Sequence, residues 1–563
     1  MSALASLGSL VLWPLRAARA AVVLRQGGYV KLTIDGEVVD IPQRRPFRFM
    51  PNKARTTSVS RVSELAKEIA SDPKAFGLLV EIKSMRAGAA VVTSLREAFE
   101  PVRRAGKPLF VHLPLGGGTR ELLLASVGTK IVAGPQSTLA PLGMAIESRY
   151  LRRVLDRIGI VPEIFARGEF KTAGETLERD SMSPEQRQQL DAVLDTLHDE
   201  LVTALSEGRG ASREKAQAWL DMGALRSKDA AFEGLIDAVA YDDEIPRLAT
   251  GTDKPRTLSA PVYLLLRRGR RLSLPSRRRI GVIVVHGPIV SRSPLPFDRL
   301  AVDERIMGAL RTAQEDDTIE GVVLHVDSPG GSALAADRIH REVTRLAAKK
   351  PVVAYFSNVA ASGGYYVAAG ANRIVARPTT ITGSIGVVAA HLVFAPLLER
   401  VGIVTERLKR GAHADMLSPS RHLDQAERDI LARELDGFYR DFVGVVALGR
   451  NRPFEEIEKL ARGRVYTGKD AHAHGLVDRL GGFQQAVEEV RSMLGPSAAR
   501  LRPVIVPPPR AKPTPPELRG PLVDLVKLVE QLGGDVALRD ALVLSLCAAP
   551  TERCLAFAPI EVV

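Results

Sequence analysis

Only two cysteines occur in 563 residues, Cys547 and Cys554, both near the C-terminus. That excludes a disulfide framework and any cysteine-rich metal site. Spacing alone does not decide whether the two pair. Zinc-finger spacing, RNP-like aromatic motifs and helix-turn-helix signals are also missing. The net charge of +13 therefore carries no nucleic-acid signature. No uninterrupted apolar run reaches the ~20 residues of a membrane-spanning helix. Residues 1–15 are uncharged and mostly apolar, but Pro14, Arg16 and Arg19 break the run before Ala20. The arginines follow the apolar stretch, whereas a cleaved signal peptide carries its positive charge first. A membrane-associated segment over residues 1–26, spanning or interfacial, is the expectation.

What is present is ordinary globular composition, 45% hydrophobic and 25% charged. The chain is too long for one core and fits two domains of roughly 220–240 residues plus tails. An internal repeat agrees. Residues 125–135 (ASVGTKIVAGP) match 368–378 (AAGANRIVARP), an offset of 243, and 228–237 match 469–478 at an offset of 241. Strand-like runs at 29–40, 76–83 and 108–115 recur at 280–290, 319–327 and 351–356. Helical patterns lie between them, at 63–70, 89–105, 301–315 and 334–348. Alternation of this kind predicts βαβ units, hence parallel sheets with helical cover. Longer amphipathic helices are expected at 182–208 and 424–449, packing between copies or subunits.

The expected domains are 27–258, a first repeat, and 280–500, a second. Between them, 259–279 reads as a basic linker containing Arg267, Arg268, Arg270, Arg271, Arg277, Arg278 and Arg279. A solvated linker is the plain reading of that run, and contact with an anionic membrane the functional one. Residues 501–563 open with a proline-dense stretch through Pro521, a stiff linker. An apolar, helical tail follows from Leu522.

The most informative segment is 358–387, NVAASGGYYVAAGANRIVARPTTITGSIGV. A buried strand (351–356) leads into Ala360, Ala361, Ser362, Gly363 and Gly364, and then into an alanine-rich helix. Small residues at such a corner let backbone amides approach a reacting carbonyl, and a helix N-terminus favours developing negative charge. Ser362 is a candidate nucleophile there. The competing reading is an N-cap serine. The repeat offset places Thr119 at the equivalent position in the first copy.

Three motifs together resemble the signal peptide peptidase A (protease IV) family in its long, two-repeat form. They are 327–332 (DSPGGS); 361–366 (ASGGYY) with 382–387 (TGSIGV); and 168–171 (GEFK) followed by 179–184 (RDSMSP). The similarity spans roughly residues 28 to 495. It implies a tandem duplication of a crotonase/Clp-like α/β domain and a serine–lysine peptidase. Ser362 is then the nucleophile, Lys171 the general base, and Ser384 the hydroxyl that orients the lysine. Lys171 maps to Ala414 in the second copy, so each copy keeps one half of the pair, and one site assembled from both copies is expected. The resemblance further implies peptide substrates such as cleaved signal peptides, membrane lipid and other copies of the chain as partners, and no nucleic acid. It places the protein at a bacterial inner membrane with catalytic domains facing the periplasm. No cofactor and no metal is expected.

The chemistry sets demands. With the ordinary lysine pKa near 10.4, the amine is neutral about once in ~2,500 molecules at pH 7, so Lys171 must be buried. Glu169 and Glu175 must face away from the amine. Gly331 and Gly363 are the expected oxyanion donors, and Asp327 reads as structural. Among other bases, His391 follows Ser362 by 29 residues, as in a histidine triad, and His325 reads as a core histidine. Ser212 and Lys215 spell Ser-x-x-Lys but look like a helix start. Two further functions compete with the peptidase. A crotonase-type acyl-CoA enzyme would use the Gly-Gly turn, and a degenerate membrane scaffold would use neither serine nor lysine.

Overall fold

The computed structural model describes residues 13–42, 56–252, 256–270, 278–291, 300–508 and 555–557. They form two compact units. One comprises Met1–Met144 with Leu197–Arg277, the other Ala145–Thr196 with Arg278–Val563. Residues 145–196, from the first repeat, thus fold into the second unit.

In the first unit the main sheet has the order Ala238–Val239, Lys130–Ala133, Leu109–Leu113, Ala75–Arg86, Gly28–Val39, Thr257–Ser259. All of its ladders are parallel. The second unit repeats the plan with Arg479–Leu480, Arg373–Ala376, Val352–Ala361, Ile319–Ser328, Arg279–His286 and Arg502–Ile505. Its central strands, Ile319–Ser328 and Val352–Ala361, are buried along nearly their whole length, as parallel strands covered on both faces must be. That explains why they read as apolar runs rather than alternating patterns.

The duplication extends to the hydrogen bonds that finish each element. Lys107 Nζ donates to the carbonyls of Ile69, Asp72 and Ala75, and Lys350 Nζ, 243 positions later, donates to Ala313 and Asp316. Both satisfy orphan carbonyls at a helix C-terminus. Likewise Asp237 accepts from the Ile131 amide and Asp478 from the Ile374 amide, each held by an arginine, Arg209 or Arg450.

Several expectations meet the structure differently. The arginine-rich segment is partly a helix, Ala260–Arg270, that buries Tyr263 and Leu266 in the first unit. Its Arg267 pairs with Glu68 and Asp72 and its Arg268 with Glu64. Helix Trp13–Leu24 buries Ala20 and Leu24 in the same core. No helix among the described residues is long and apolar enough to cross a membrane. Residues 1–12 and 271–277, which belong to the expected anchor and the basic run, lie outside the described residues. So does most of the expected helical tail, Cys547 and Cys554 included, except that Leu555–Phe557 form a strand. Residues 502–505, placed in the proline-dense linker, form the edge strand beside Arg279–Val282.

The second unit also contains a smaller sheet. Its order is Ala301–Val302, Ile289–Val290, Gly330–Ser332, Leu555–Phe557, Val387–Val393, Val161–Arg167. This sheet frames the site.

Candidate active site

Strand Val352–Ala361 ends at Ser362, and helix Gly363–Ala368 starts one residue later. The turn is tight enough to force Ser362 to φ 55°, ψ −119°, where a residue with a Cβ is rarely found. Four non-glycine residues have positive φ among those described, and Ser362 and Ser384 are two of them. Strain held in place by surrounding structure tends to cluster at functional positions. Ser362 occupies the N-cap position, yet its side chain makes no capping hydrogen bond. The N-cap reading therefore leaves its hydroxyl unexplained.

The hydroxyl points at Lys171, whose Nζ lies 2.7 Å from Ser362 Oγ. The same amine lies 2.9 Å from Ser384 Oγ and 3.0 Å from the Ser384 carbonyl oxygen. Lys171, Ser362 and Ser384 are all buried. Burial alone holds the Lys171 pKa well below the ordinary lysine value. Glu169 turns outward to Arg462, and Glu175 accepts from the Ser183 amide.

All three residues belong to the second unit. Lys171 reaches it because strand Val161–Arg167 pairs antiparallel with Val387–Val393, from Val387 opposite Arg167 to Val393 opposite Val161. The chain then turns through Gly168 and is clamped by residues 462–465. The Phe170 amide donates to the Arg462 carbonyl, and the Arg464 guanidinium lies 3.9 Å from the Phe170 ring centre. Gly463 lies so close that a Cβ on it would stand 2.5 Å from the Lys171 backbone nitrogen, and its φ is +77°. Buried Gln189 ties the two segments together. Its Nε2 donates to the Phe170 carbonyl and Thr172 Oγ1, and its Oε1 accepts from the Val465 amide. Neither Gln189 nor the 462–465 segment stands out in the sequence. A polar helix residue and an Arg-Gly-Arg turn carry no local mark of the partners they meet across the fold.

Gly331 sits in strand Gly330–Ser332 at φ +150°, where a Cβ would lie 2.1 Å from the Ile289 carbonyl oxygen. Only glycine lets the backbone run there. Gly363 is the first residue of the helix after Ser362, where an amide has no acceptor within the helix. Asp327 accepts from the Val359 amide and faces the His286 ring. Burial pushes its pKa up, but the His286 ring and the Val359 amide more than offset this, leaving it below the ordinary value.

The alternative bases lie elsewhere. His391 Nε2 is 3.1 Å from the Arg421 carbonyl oxygen. The His325 ring packs edge-on against Tyr355. Ser212 caps helix Arg213–Asp221 by accepting from the Lys215 amide. In the first unit, Thr119 Oγ1 donates to the Gly143 carbonyl. Ala414 is exposed.

The family model described as Peptidase family S49 matches twice, over residues 102–253 and 344–495. The chain belongs to peptidase family S49. It is 31% identical over 473 residues to "Serine protease SPPA, chloroplastic" of Arabidopsis thaliana, covering 82% of this chain and 69% of that one. It is 29% identical over 492 residues to "Protease 4" of Salmonella typhi, covering 83% and 78%. A shorter match, 38% over 191 residues, is to "Putative signal peptide peptidase SppA" of Enterococcus faecium, covering 33% and 55%. The S49 chain is thus a serine protease on a duplicated Clp-like α/β fold. That selects the protease among the three competing functions, against the acyl-CoA enzyme and the scaffold.

Proposed function

We propose that this S49 protease is an endopeptidase in which Ser362 is the nucleophile, Lys171 its general base and Ser384 the group that aims the amine. The observation that carries the reading is the contact between the Lys171 amine and the Ser362 hydroxyl, both buried. A neutral amine has two N–H donors and one lone pair. The donors match the two Ser384 oxygens, and the lone pair matches the Ser362 O–H.

In the first half-reaction the Ser362 proton moves to Lys171 as Oγ adds to the scissile carbonyl carbon. The oxyanion takes hydrogen bonds from the Gly331 and Gly363 amides. The Lys171 ammonium then returns its proton to the departing amine as the C–N bond breaks, leaving an ester on Ser362. Water, deprotonated by Lys171, hydrolyses that ester and restores both groups. No metal or cofactor is called for at any step.

The relatives' names include a signal peptide peptidase, and apolar peptides such as cleaved signal peptides at a bacterial inner membrane, on its periplasmic side, are the proposed substrates and place of work. Ser362→Ala and Lys171→Ala should each abolish cleavage of a fluorogenic apolar peptide without loss of folding. Flotation of the full chain with anionic vesicles tests the membrane.

Assembly with further copies of the chain belongs to the same proposal, and the repeat supports it. Moved by 243 positions, the pairing of Val161–Arg167 with Val387–Val393 becomes a pairing of 404–410 with 144–150. In the described chain neither segment is in a ladder. Val404 is 87% exposed and Leu408 98%, which a copy supplying the other edge would cover. The transferred register sets Arg407 opposite Glu147 and Leu408 opposite Ile146, a charge match beside an apolar one.

A further inference from the structure

The two halves of the site-framing sheet are joined by a three-residue strand. Leu555–Phe557, close to the C-terminus, lies between Gly330–Ser332 and Val387–Val393. It runs antiparallel to the former, with Gly330 opposite Phe557, Gly331 opposite Ala556 and Ser332 opposite Leu555. On its other side Leu555 stands opposite Val388 in a second antiparallel ladder. It also packs against helix Gly363–Ala368, the helix that begins after Ser362.

Neighbouring strands lie about 4.8 Å apart, so without 555–557 the two flanking strands face each other across about 9.6 Å. That gap admits one extended chain. One wall carries Gly331, the proposed oxyanion donor. The other wall pairs with the strand that leads into Lys171. An extended peptide whose carbonyl reaches Gly331 and Ser362 must add a strand in this same gap, by backbone pairing that is indifferent to most side chains.

We propose that residues 555–557 are a tethered occupant of the peptide-docking groove, so that the C-terminus competes in cis with substrate. The inference rests on the peptidase reading of Ser362 and Lys171. The sequence suits the role, since residues 554–560 (CLAFAPI) contain no charge and share the apolar character of the proposed substrates. A three-residue ladder is weak by itself, but tethering raises its effective concentration toward the millimolar range. Against a sub-millimolar intrinsic affinity, this raises the apparent KM about tenfold.

The test compares the full chain, a chain ending at Cys554, and a full-length Leu555→Pro/Ala556→Pro/Phe557→Pro variant that removes the backbone donors. With a short fluorogenic apolar peptide, both altered chains should show a KM about tenfold lower at unchanged kcat. In parallel, a labelled peptide of residues 551–563 should bind the truncated chain carrying Ser362→Ala, and unlabelled substrate peptide should displace it. Equal KM values among three active chains would overturn the proposal, and so would failure of the labelled peptide to bind. Absence of turnover in all three would count against the peptidase reading instead, while the binding measurement would still decide this one.

Discussion

Lys171 and Ser362 are 191 residues apart in sequence, and their Nζ and Oγ atoms are 2.7 Å apart in the fold. The amine's other contacts are the two Ser384 oxygens, with no carboxylate among them. A buried ammonium without a counter-charge is strongly disfavoured, so burial shifts Lys171 toward the neutral amine that the proposed base needs. Desolvation achieves what an ion pair would undo.

The pH dependence follows with a definite sign. In the proposed mechanism activity requires the neutral amine, so kcat/KM should rise with pH through the Lys171 pKa and then level off. Because that pKa is well below the ordinary lysine value, the rise should be complete far below pH 10. Lys171→Ala should lower kcat by at least ~10³-fold, as for other residues acting as a unit with a nucleophile, and remove this limb. A pH–rate series on both proteins checks it.

The same burial has a stability cost. Between the folded pKa of Lys171 and its unfolded value near 10.4, the unfolded chain binds one more proton than the native one. Stability contributed at this position therefore rises with pH across that window. Lys171→Met should raise Tm at pH 7, and the gain should shrink as pH approaches 10. Thermal unfolding of the two proteins from pH 7 to 10 is the measurement.

Gly463 should matter although it bears no side chain. Gly463→Ala puts a methyl group 2.5 Å from the Lys171 backbone nitrogen and 2.6 Å from its Cβ, at a positive φ. Displacing the base by a fraction of an ångström should cut kcat by ~10²-fold with little change in KM. The strain lowers Tm as well, so kinetics are measured on the folded variant well below its Tm, where a loss in kcat at unchanged KM reports the displaced base.

Much of this site is legible in the chain because its chemistry is concentrated in short segments. The strand, small-residue corner and helix around Ser362 are contiguous, and the parallel strands are apolar runs that need no partner to be recognised. The repeat yields the vacated positions, Thr119 and Ala414, by subtraction alone. What is not legible depends on long-range pairing. Residues 145–196 leave their own repeat for the second unit, which only the ladder from Val161 to Arg167 reveals. The arginines at 267 and 268 look like a free basic run because their partners, Glu64, Glu68 and Asp72, lie about 200 residues earlier. The C-terminal strand reads as helical because an apolar stretch of that length fits either state.

The proposed edge between copies can be tested by charge exchange. Arg407→Glu should shift the protein toward smaller species in light scattering after size exclusion, and Glu147→Arg should do the same. Combining them should restore the assembly. Unchanged size in both single variants would remove this edge from consideration.

The most direct test of the central claim is covalent. A peptidyl fluorophosphonate should form one adduct on the intact protein, located by mass spectrometry on Ser362. Its rate should rise with pH along the same limb as kcat/KM, and Lys171→Met should slow it by at least ~10³-fold. Labelling of Lys171→Met at the wild-type rate, or labelling of a serine other than Ser362 in the wild type, would contradict the assignment of nucleophile and base.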